Sequence, residues 1–284
     1  RPPRSTPSNS SAASDVYKRH AGEYTVEEGD IFLDLSLVRE DFEADNWTVI
    51  ENKLLLFDKE EKSIIQIDVD SKSTKVVAGG ERVKGGGLIA AAGNRLFVLK
   101  EDELLVIDIQ KSEVIDQKEA EGWQKIIDLV GFSSNAYLLD SQAGQIWKYR
   151  GFEGGLSNKE DYLKGNGYDL SEARFMAIDG AVWLFFSDGQ IIKFVRGRKD
   201  SFVVSGLDKP FDEVSGFYTD QNLDNLYVLD RKNTRVVVIS KETGEYQAQY
   251  SWLGIAGAYD LAVFEDRKLI LLLTEKKIYQ IKIR

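Results

Sequence analysis

The chain of 284 residues has no cysteine, one histidine and only four prolines. Without cysteine there is no disulfide staple, no thiolate zinc site and no cysteine nucleophile, although the lack identifies no compartment. The lone histidine, His20, removes most His-based acid–base catalysis and every multi-histidine metal site. Basic side chains are also scarce: 37 against 47 acidic ones give a net charge of −10. A general nucleic-acid binder needs a net basic face, so that class is set aside. The longest apolar runs, such as Leu269 to Leu273, fall far short of the ~20 residues that span a bilayer. What is present is core material. At 43% hydrophobic, the chain can build one large domain or two small ones, and wholesale disorder is excluded.

The first residues differ in character from the rest. Three of the four prolines (Pro2, Pro3, Pro7) and five serines lie before residue 20, with no apolar periodicity. This reads as a disordered leader, drawn here as residues 1–28, with no signal-peptide pattern in it. The run Asp15-Val16-Tyr17-Lys18-Arg19 resembles an in-frame translation of a sequencing-transposon adapter, so part of the leader is expected to be foreign to a metagenomic gene. With Arg1, Arg4, Lys18 and Arg19 against Asp15 set aside, 33 basic and 46 acidic residues leave −13 on the remainder.

From residue 29 onward one phrase recurs: an apolar strand closed by a polar residue, a short polar turn, and a second apolar strand. The copies begin at Leu54, Leu96, Ala136, Val182, Leu226 and Leu269. The residues closing their first strands are Asp58, Lys100, Asp140, Phe186, Asp230 and Leu273, spaced 42, 40, 46, 44 and 43 apart. Six copies at a near-constant period mark a repeat architecture. Each copy is rich in Val, Ile, Leu, Tyr and Phe and broken by turn residues, which suits a hairpin and not a helix. Between the copies lie an inner strand (Trp47–Glu51, Leu88–Ala92, Lys125–Val130, Phe175–Asp179, Leu261–Glu265) and an outer one (Ser73–Ala78, Glu113–Lys118, Ser201–Ser205, Tyr246–Tyr250). Four strands per period of about 43 residues is the grammar of a propeller blade. The expectation is an all-β, six-bladed β-propeller over residues 29–284, with four antiparallel strands per blade. The last copy ends without an outer strand, and Gly29 to Leu37 has strand composition. That segment is expected to complete the last blade and close the ring.

The fifth copy, with Leu226, Tyr227, Val228, Asp230, Asn233 and Arg235, resembles the NHL repeat, whose core reads roughly LYVxDxxNxRIxxF. Together with MAIDGAVWLFFSDGQIIKF and GLDKP, it makes the chain similar to the NHL-like propellers near the C-terminus of large uncharacterised bacterial proteins. Some of those carry a domain resembling a metal-dependent phosphatase, and a membrane segment. The resemblance implies the fold and scarcely any function.

Candidate chemistry is thin. Asp58, Asp140 and Asp230 at equivalent positions suggest an acidic ring, but Asp at a hairpin ordinarily accepts from turn N–H groups. Six-bladed lactonases and related hydrolases hold a central calcium with Glu, Asn and Asp side chains from inner-strand ends. No repeated acidic-plus-Asn pattern is read at those positions, and their catalytic histidines have no counterpart. GGERVKGGG (Gly79 to Gly87) lacks the Lys-Ser/Thr of a phosphate loop, and DVDSKS (Asp68 to Ser73) lacks the glycine and closing glutamate of an EF-hand; both read as connections. The patch Lys193, Arg196, Arg198, Lys199 reads as a solvated strand end and turn. Trp147 and Trp183 read as blade core.

Trp123 and Trp252 lie in connections that lead into inner strands, where aromatics bury large area at low entropic cost. Gly151 to Ala173 is the largest departure from the repeat and carries Asn166 and Tyr168 on an extended loop. Trp123, Trp252, Tyr168 and Asn166 are therefore the candidate binding residues, with no catalytic set, metal or cofactor expected. The function expected is a non-enzymatic scaffold for a protein or peptide partner, as a domain of a larger bacterial protein and monomeric in isolation. The alternatives are a calcium-dependent hydrolase or lactonase using the central channel, or a small-ligand sensor.

Overall fold

Runs such as Leu54 to Phe57 put apolar groups on both sides of a strand, because successive side chains point to opposite faces. A sheet built from such strands must be covered on both faces. The computed structural model, which describes residues 22–26, 29–165 and 167–284, meets that demand with six twisted sheets arranged as a ring. Two strands precede the first blade, β1 (Gly22–Thr25) and β2 (Asp30–Asp34). Blade one holds β3 (Asn46–Ile50), β4 (Lys53–Asp58), β5 (Ser63–Asp68) and β6 (Thr74–Gly79), ordered from the axis outward. Blade two holds β7 (Gly86–Ala92), β8 (Arg95–Lys100), β9 (Glu103–Asp108) and β10 (Glu113–Glu119). Blade three has β11 (Ile126–Phe132), β12 (Asn135–Asp140) and β13 (Gln145–Tyr149). A two-residue hairpin pair follows, β14 (Gly151–Phe152) and β15 (Gly155–Leu156), and then the short outer strand β16 (Glu160–Asp161). Blade four has β17 (Ala173–Ile178), β18 (Val182–Phe186), β19 (Ile191–Val195) and β20 (Arg198–Asp200). Blade five has β21 (Val214–Tyr218), β22 (Asn225–Asp230), β23 (Arg235–Ser240) and β24 (Tyr246–Ser251). Blade six has β25 (Asp260–Phe264), β26 (Leu269–Leu273) and β27 (Lys277–Lys282), and takes β2 as its fourth strand.

The core is not one body but six. Each buried apolar cluster lies between two neighbouring blades, so alternate residues of one strand serve different clusters. Leu54 and Leu56 pack toward blade six, while Leu55 and Phe57 pack toward blade two. The remaining clusters fill the seams two–three, three–four, four–five and five–six.

β2 runs antiparallel to β27, pairing Asp30 with Gln280 and Asp34 with Lys277, and buries Phe32 in the seam between blades six and one. The ring is closed by the N-terminal strand, as its composition implies. Three details differ from the sequence reading. Gly22–Thr25, assigned to the leader, is a strand that adds to the outer edge of blade five, parallel to β24. Its Tyr24 stacks on Tyr250 at 5.1 Å, so the small apolar content of the segment is spent on one aromatic contact. In blade four the outer strand is Arg198–Asp200, whereas Ser201–Ser205 leaves the sheet and reaches blade five through a parallel bridge from Ser205 to Glu245. In blade six the register pairs Leu273 with Ile278, as Phe57 pairs with Ile64, so Thr274 and not Leu273 is the counterpart of Asp58.

Trp252 explains a glycine in the closing segment. Its indole lies over Tyr279 at 4.9 Å, and a Cβ on Gly29 would meet the ring at 2.3 Å. Gly29→Val is therefore expected to displace Trp252 and cost about 1–3 kcal/mol, as overpacking does. Deletion of residues 29–37 is expected to lower the unfolding midpoint of the whole ring by ~10 °C or more. Circular dichroism melts check both, and unchanged midpoints would remove the closing strand from its role.

Candidate functional site

Side chains that could do chemistry fall into two sets, one at the hairpins joining the second and third strands and one at the axis. At the hairpins, Asp58, Asp140 and Asp230 are all fully buried. Asp58 accepts from the Glu61 and Glu43 N–H groups and pairs with Arg39 at 2.6 Å. Asp140 accepts from the backbone of Gln124, Lys125 and Ala143 and from the Trp147 indole. Burial pushes the Asp140 carboxyl up, but those four hydrogen bonds outweigh it and hold the group below the ordinary carboxylate range,. Asp230 accepts from Asp212 N–H, the Asn233 amide and Arg235 Nε at 2.8 Å.

Arg235 is itself buried, donating to Asp208, Gln249 and the carbonyl oxygens of Lys209 and Pro210. The Asp-Asn-Arg core of the fifth copy is thus a joint between the hairpin and the connection entering its blade. These acids are structural, as the turn reading holds.

At the axis, the inner strands present one equivalent position each. Asn46 stands opposite Phe57, Leu88 opposite Leu99, Asp128 opposite Leu139, Phe175 opposite Phe185, Gly216 opposite Leu229, and Asp260 opposite Leu273. Three of the six are polar. Asn46 accepts from Ile89 N–H, and Asp128 from Met176 N–H at 2.7 Å, so each reaches the inner strand of the next blade. Asp128 also accepts from Leu129 N–H and Asp260 from Leu261 N–H. Innermost strands have no sheet neighbour toward the axis, and these side chains satisfy the N–H groups left there.

Sequence reasoning missed this set, because each member stands alone in an apolar strand. The signal that could have found it is the shared ladder position.

Asp128 and Asp260 face a central cavity of about 560 Å³, walled also by Trp47, Phe175, Tyr218 and Tyr259. Both keep some accessible surface along it yet lie deep within the ring. Burial raises the Asp128 carboxyl to about 7. Burial likewise raises Asp260 to about 7, with the Asp128 charge adding to it,. Burial and the nearby Asp220 carboxylate hold the Tyr218 phenol well above its ordinary value.

The oxygens of Asn46 and Asp128 are aimed at backbone N–H groups, and no group of three or more His, Cys, Asp or Glu side chains suited to a metal occurs among the described residues.

The structure does not bring the sequence candidates together, and none of the described ones lines the central cavity. Trp123 donates to the Tyr149 hydroxyl at 3.0 Å and packs in the seam between blades two and three. Trp252 is wedged at blades five and six. Tyr168 meets Phe194 edge-on at 5.1 Å, against blade four. Asn166 lies outside the described residues. Trp183 is core, as expected, whereas Trp147 is half-buried beneath the Lys159 ammonium. Of Gly79 to Gly87 only residues 80–85 form the inter-blade connection, Gly79 closing β6 and Gly86 and Gly87 opening β7, and Asp68 caps its turn through Ser71, whose hydrogen bonds hold the carboxyl below its ordinary value.

No family model matches the chain, and no curated protein matches it. Solved structures do. A catalytically inactive histidine-to-alanine variant of virginiamycin B lyase from Staphylococcus aureus, solved with quinupristin, superposes with a TM-score of 0.57 at 14% identity. It covers 90% of this chain and 99% of that one. A protein of unknown function from Bacteroides thetaiotaomicron gives 0.57 at 13% identity, over 92% of this chain and 74% of that one. A nidogen/laminin complex gives 0.53 at 15%, over 75% and 81%. At such identities the likeness is one of fold. The β-propeller ring is that fold.

Two predictions follow from the two sets. Arg235→Ala leaves Asp230 buried without its cation, and is expected to cost about 3–5 kcal/mol in urea unfolding; a loss under 1 kcal/mol would show the joint to be dispensable. At the axis, the folded state holds protons on Asp128 and Asp260 that the unfolded chain releases near pH 4. Their stabilising contribution is full below pH 4 and is lost as pH rises through about 7,. Between pH 5 and 8 the unfolding midpoint should fall, and Asp260→Asn should flatten the fall and raise the midpoint at pH 8 by roughly 5 °C. An unchanged slope in Asp260→Asn refutes that assignment.

Proposed function

We propose that this chain is a non-enzymatic interaction scaffold, a closed ring that presents its surface to a protein or peptide partner. One observation carries the reading: five of the acids and amides that could do chemistry are committed to holding the ring together. Asp58, Asp140 and Asp230 tie hairpins to connections, and Asn46 and Asp128 tie blade to blade. Meanwhile two of the most exposed large apolar side chains, Leu37 and Leu253, stand in connections on the same ring face, flanking blade six. Isolated exposed leucines are ordinary, but two on one face of a rigid ring are suited to contact.

The central cavity supports a second reading, as a small-ligand sensor or a calcium-dependent hydrolase. The neighbouring lyase is inactivated by loss of a histidine, whereas no histidine stands in the described ring, since His20 is the only one in the chain. The scaffold reading therefore takes precedence. Metal analysis of purified protein, paired with a hydrolase panel with and without chelator, separates the two. The scaffold predicts no stoichiometric calcium and no turnover; a turnover abolished by chelation would sink it in favour of the enzyme.

A further inference from the structure

Asp128 and Asp260 stand three blades apart in a ring of six, and so face each other across the channel at one ladder level. They are not equally committed. Asn46 and Asp128 each take an N–H group from the inner strand of the next blade. Asp260 accepts only from its own neighbour, Leu261 N–H, on one oxygen. No backbone N–H among the described residues reaches its other oxygen, and the Trp47 indole is the one further donor beside the carboxyl. Asp260 lies at full depth in the ring and lines the cavity.

The surroundings of that carboxyl are aromatic and negative. Trp47 of blade one, Tyr218 of blade five and Tyr259 of blade six all stand within its electrostatic reach. Both tyrosine hydroxyls are engaged elsewhere, with Asp220 at 3.5 Å and with the Ala44 carbonyl, which leaves their rings as wall. Asp45, Glu51, Asp128, Asp220 and Asp260 line the cavity against one basic side chain, Arg174. Arg174 is held by Glu172 at 3.0 Å and by the Ala173 carbonyl, and Lys59 pairs with Asp45 at 3.1 Å. No cation acts on Asp128 or Asp260. Buried acids without a counter-charge are costly to ionise, and aromatic faces attract cations. The way in is open: Gly93, Ser133, Gln221 and Asn222, exposed turn residues at one ring face, also line the cavity. Its volume of about 560 Å³ is that of a small-molecule site,.

We propose that the channel binds a small organic ammonium ion, with its nitrogen on the uncommitted Asp260 oxygen among Trp47, Tyr218 and Tyr259. Its carbon body lies along the channel, and Asp128 on the opposite wall adds a second negative charge. An ammonium fits where calcium does not, because calcium takes six to eight oxygens and both Asp128 oxygens already hold backbone N–H groups,. Such a site gives the small-ligand reading of the cavity its chemistry. It is independent of the scaffold reading, which stands whether or not the channel is filled.

The test is isothermal titration calorimetry with hexylammonium chloride, set against hexanol and hexanoate as its neutral and anionic counterparts. A single saturable hexylammonium site is expected, with hexanol and hexanoate at least about tenfold weaker, since a charge-assisted hydrogen bond is lost. Asp260→Asn keeps the shape of the side chain and removes its charge. It should weaken hexylammonium at least about tenfold and leave hexanol unchanged, and Asp128→Asn should weaken hexylammonium by less. No saturable binding at millimolar amine, equal affinity for amine and alcohol, or amine binding that Asp260→Asn leaves intact overturns the site. Calcium chloride that binds stoichiometrically and displaces hexylammonium overturns it in favour of a metal. The three ligands on the unmodified protein decide the matter even where a variant fails to fold.

Discussion

Every sheet in this molecule has two apolar faces, and that single constraint forces the ring. A lone blade would expose both faces, and an open stack of blades would expose one at each end. Six arranged around an axis expose none, provided that the sixth meets the first. The burden of closure falls on the short pairing of β2 with β27, which joins the start of the described chain to its end. It is the one seam whose two sides are distant in sequence. Phe32 and Leu35 enter the hydrophobic cluster there with Leu54, Leu56 and Leu271, so closure is sealed by packing as well as by backbone hydrogen bonds. Trp252 secures the approach to it, lying in a space that only glycine at position 29 leaves open.

Closure fixes the sheets edge to edge, but each connection must also be held to the blade it enters. The same joint is made in three chemistries. In blade five Arg235, on the strand after the hairpin, turns back to Asp230 and grips the carbonyl oxygens of the incoming connection. In blade one Ser63 occupies the place of Arg235, and the guanidinium comes from the connection itself as Arg39. In blade three there is no arginine; Asp140 takes two N–H groups of the connection directly and the Trp147 indole besides. The buried carboxylate is the common element, because one to three backbone donors and at least one side-chain donor converge on it and a buried acid without partners is costly,. The NHL-like phrase is sharp only in the fifth copy because blades one and three reach the same end with different side chains, while Lys100, Phe186 and Thr274 stand in place of the carboxylate in the other three.

The period was legible because it is written in apolar runs, and burial on both faces makes such runs long and regular. The rim was less legible. Ser201–Ser205 has strand composition, yet Phe202 and Val204 find their apolar contacts in the seam between blades four and five, so packing won over propensity. Gly22–Thr25 is too short to announce itself, and forms a strand only because β24 offers an edge and Tyr250 a ring to stack on. The axial carboxyls escaped notice for the opposite reason. Asp128 and Asp260 each interrupt an apolar strand once, and only the ladder register reveals that they occupy one level of the same channel.

Axis and rim therefore differ in their freedom to carry function. Toward the axis, positions are crowded: a Cβ on Gly216 would lie 2.7 Å from Leu261 and 3.1 Å from the Asp260 carboxylate, and Asn46 and Asp128 already serve the neighbouring blades. A substitution there disturbs two blades at once. Outward, each sheet ends in a strand with no further neighbour, and the structure treats the six ends differently. Blade five is covered by β1, blade six ends in β2, blade three is completed by Gln145 and Tyr162, and in blade four the departing segment packs Phe202 and Phe211 against the cluster that holds Ile191. Variation without loss of the ring is thus available at the rim and hardly at all at the axis.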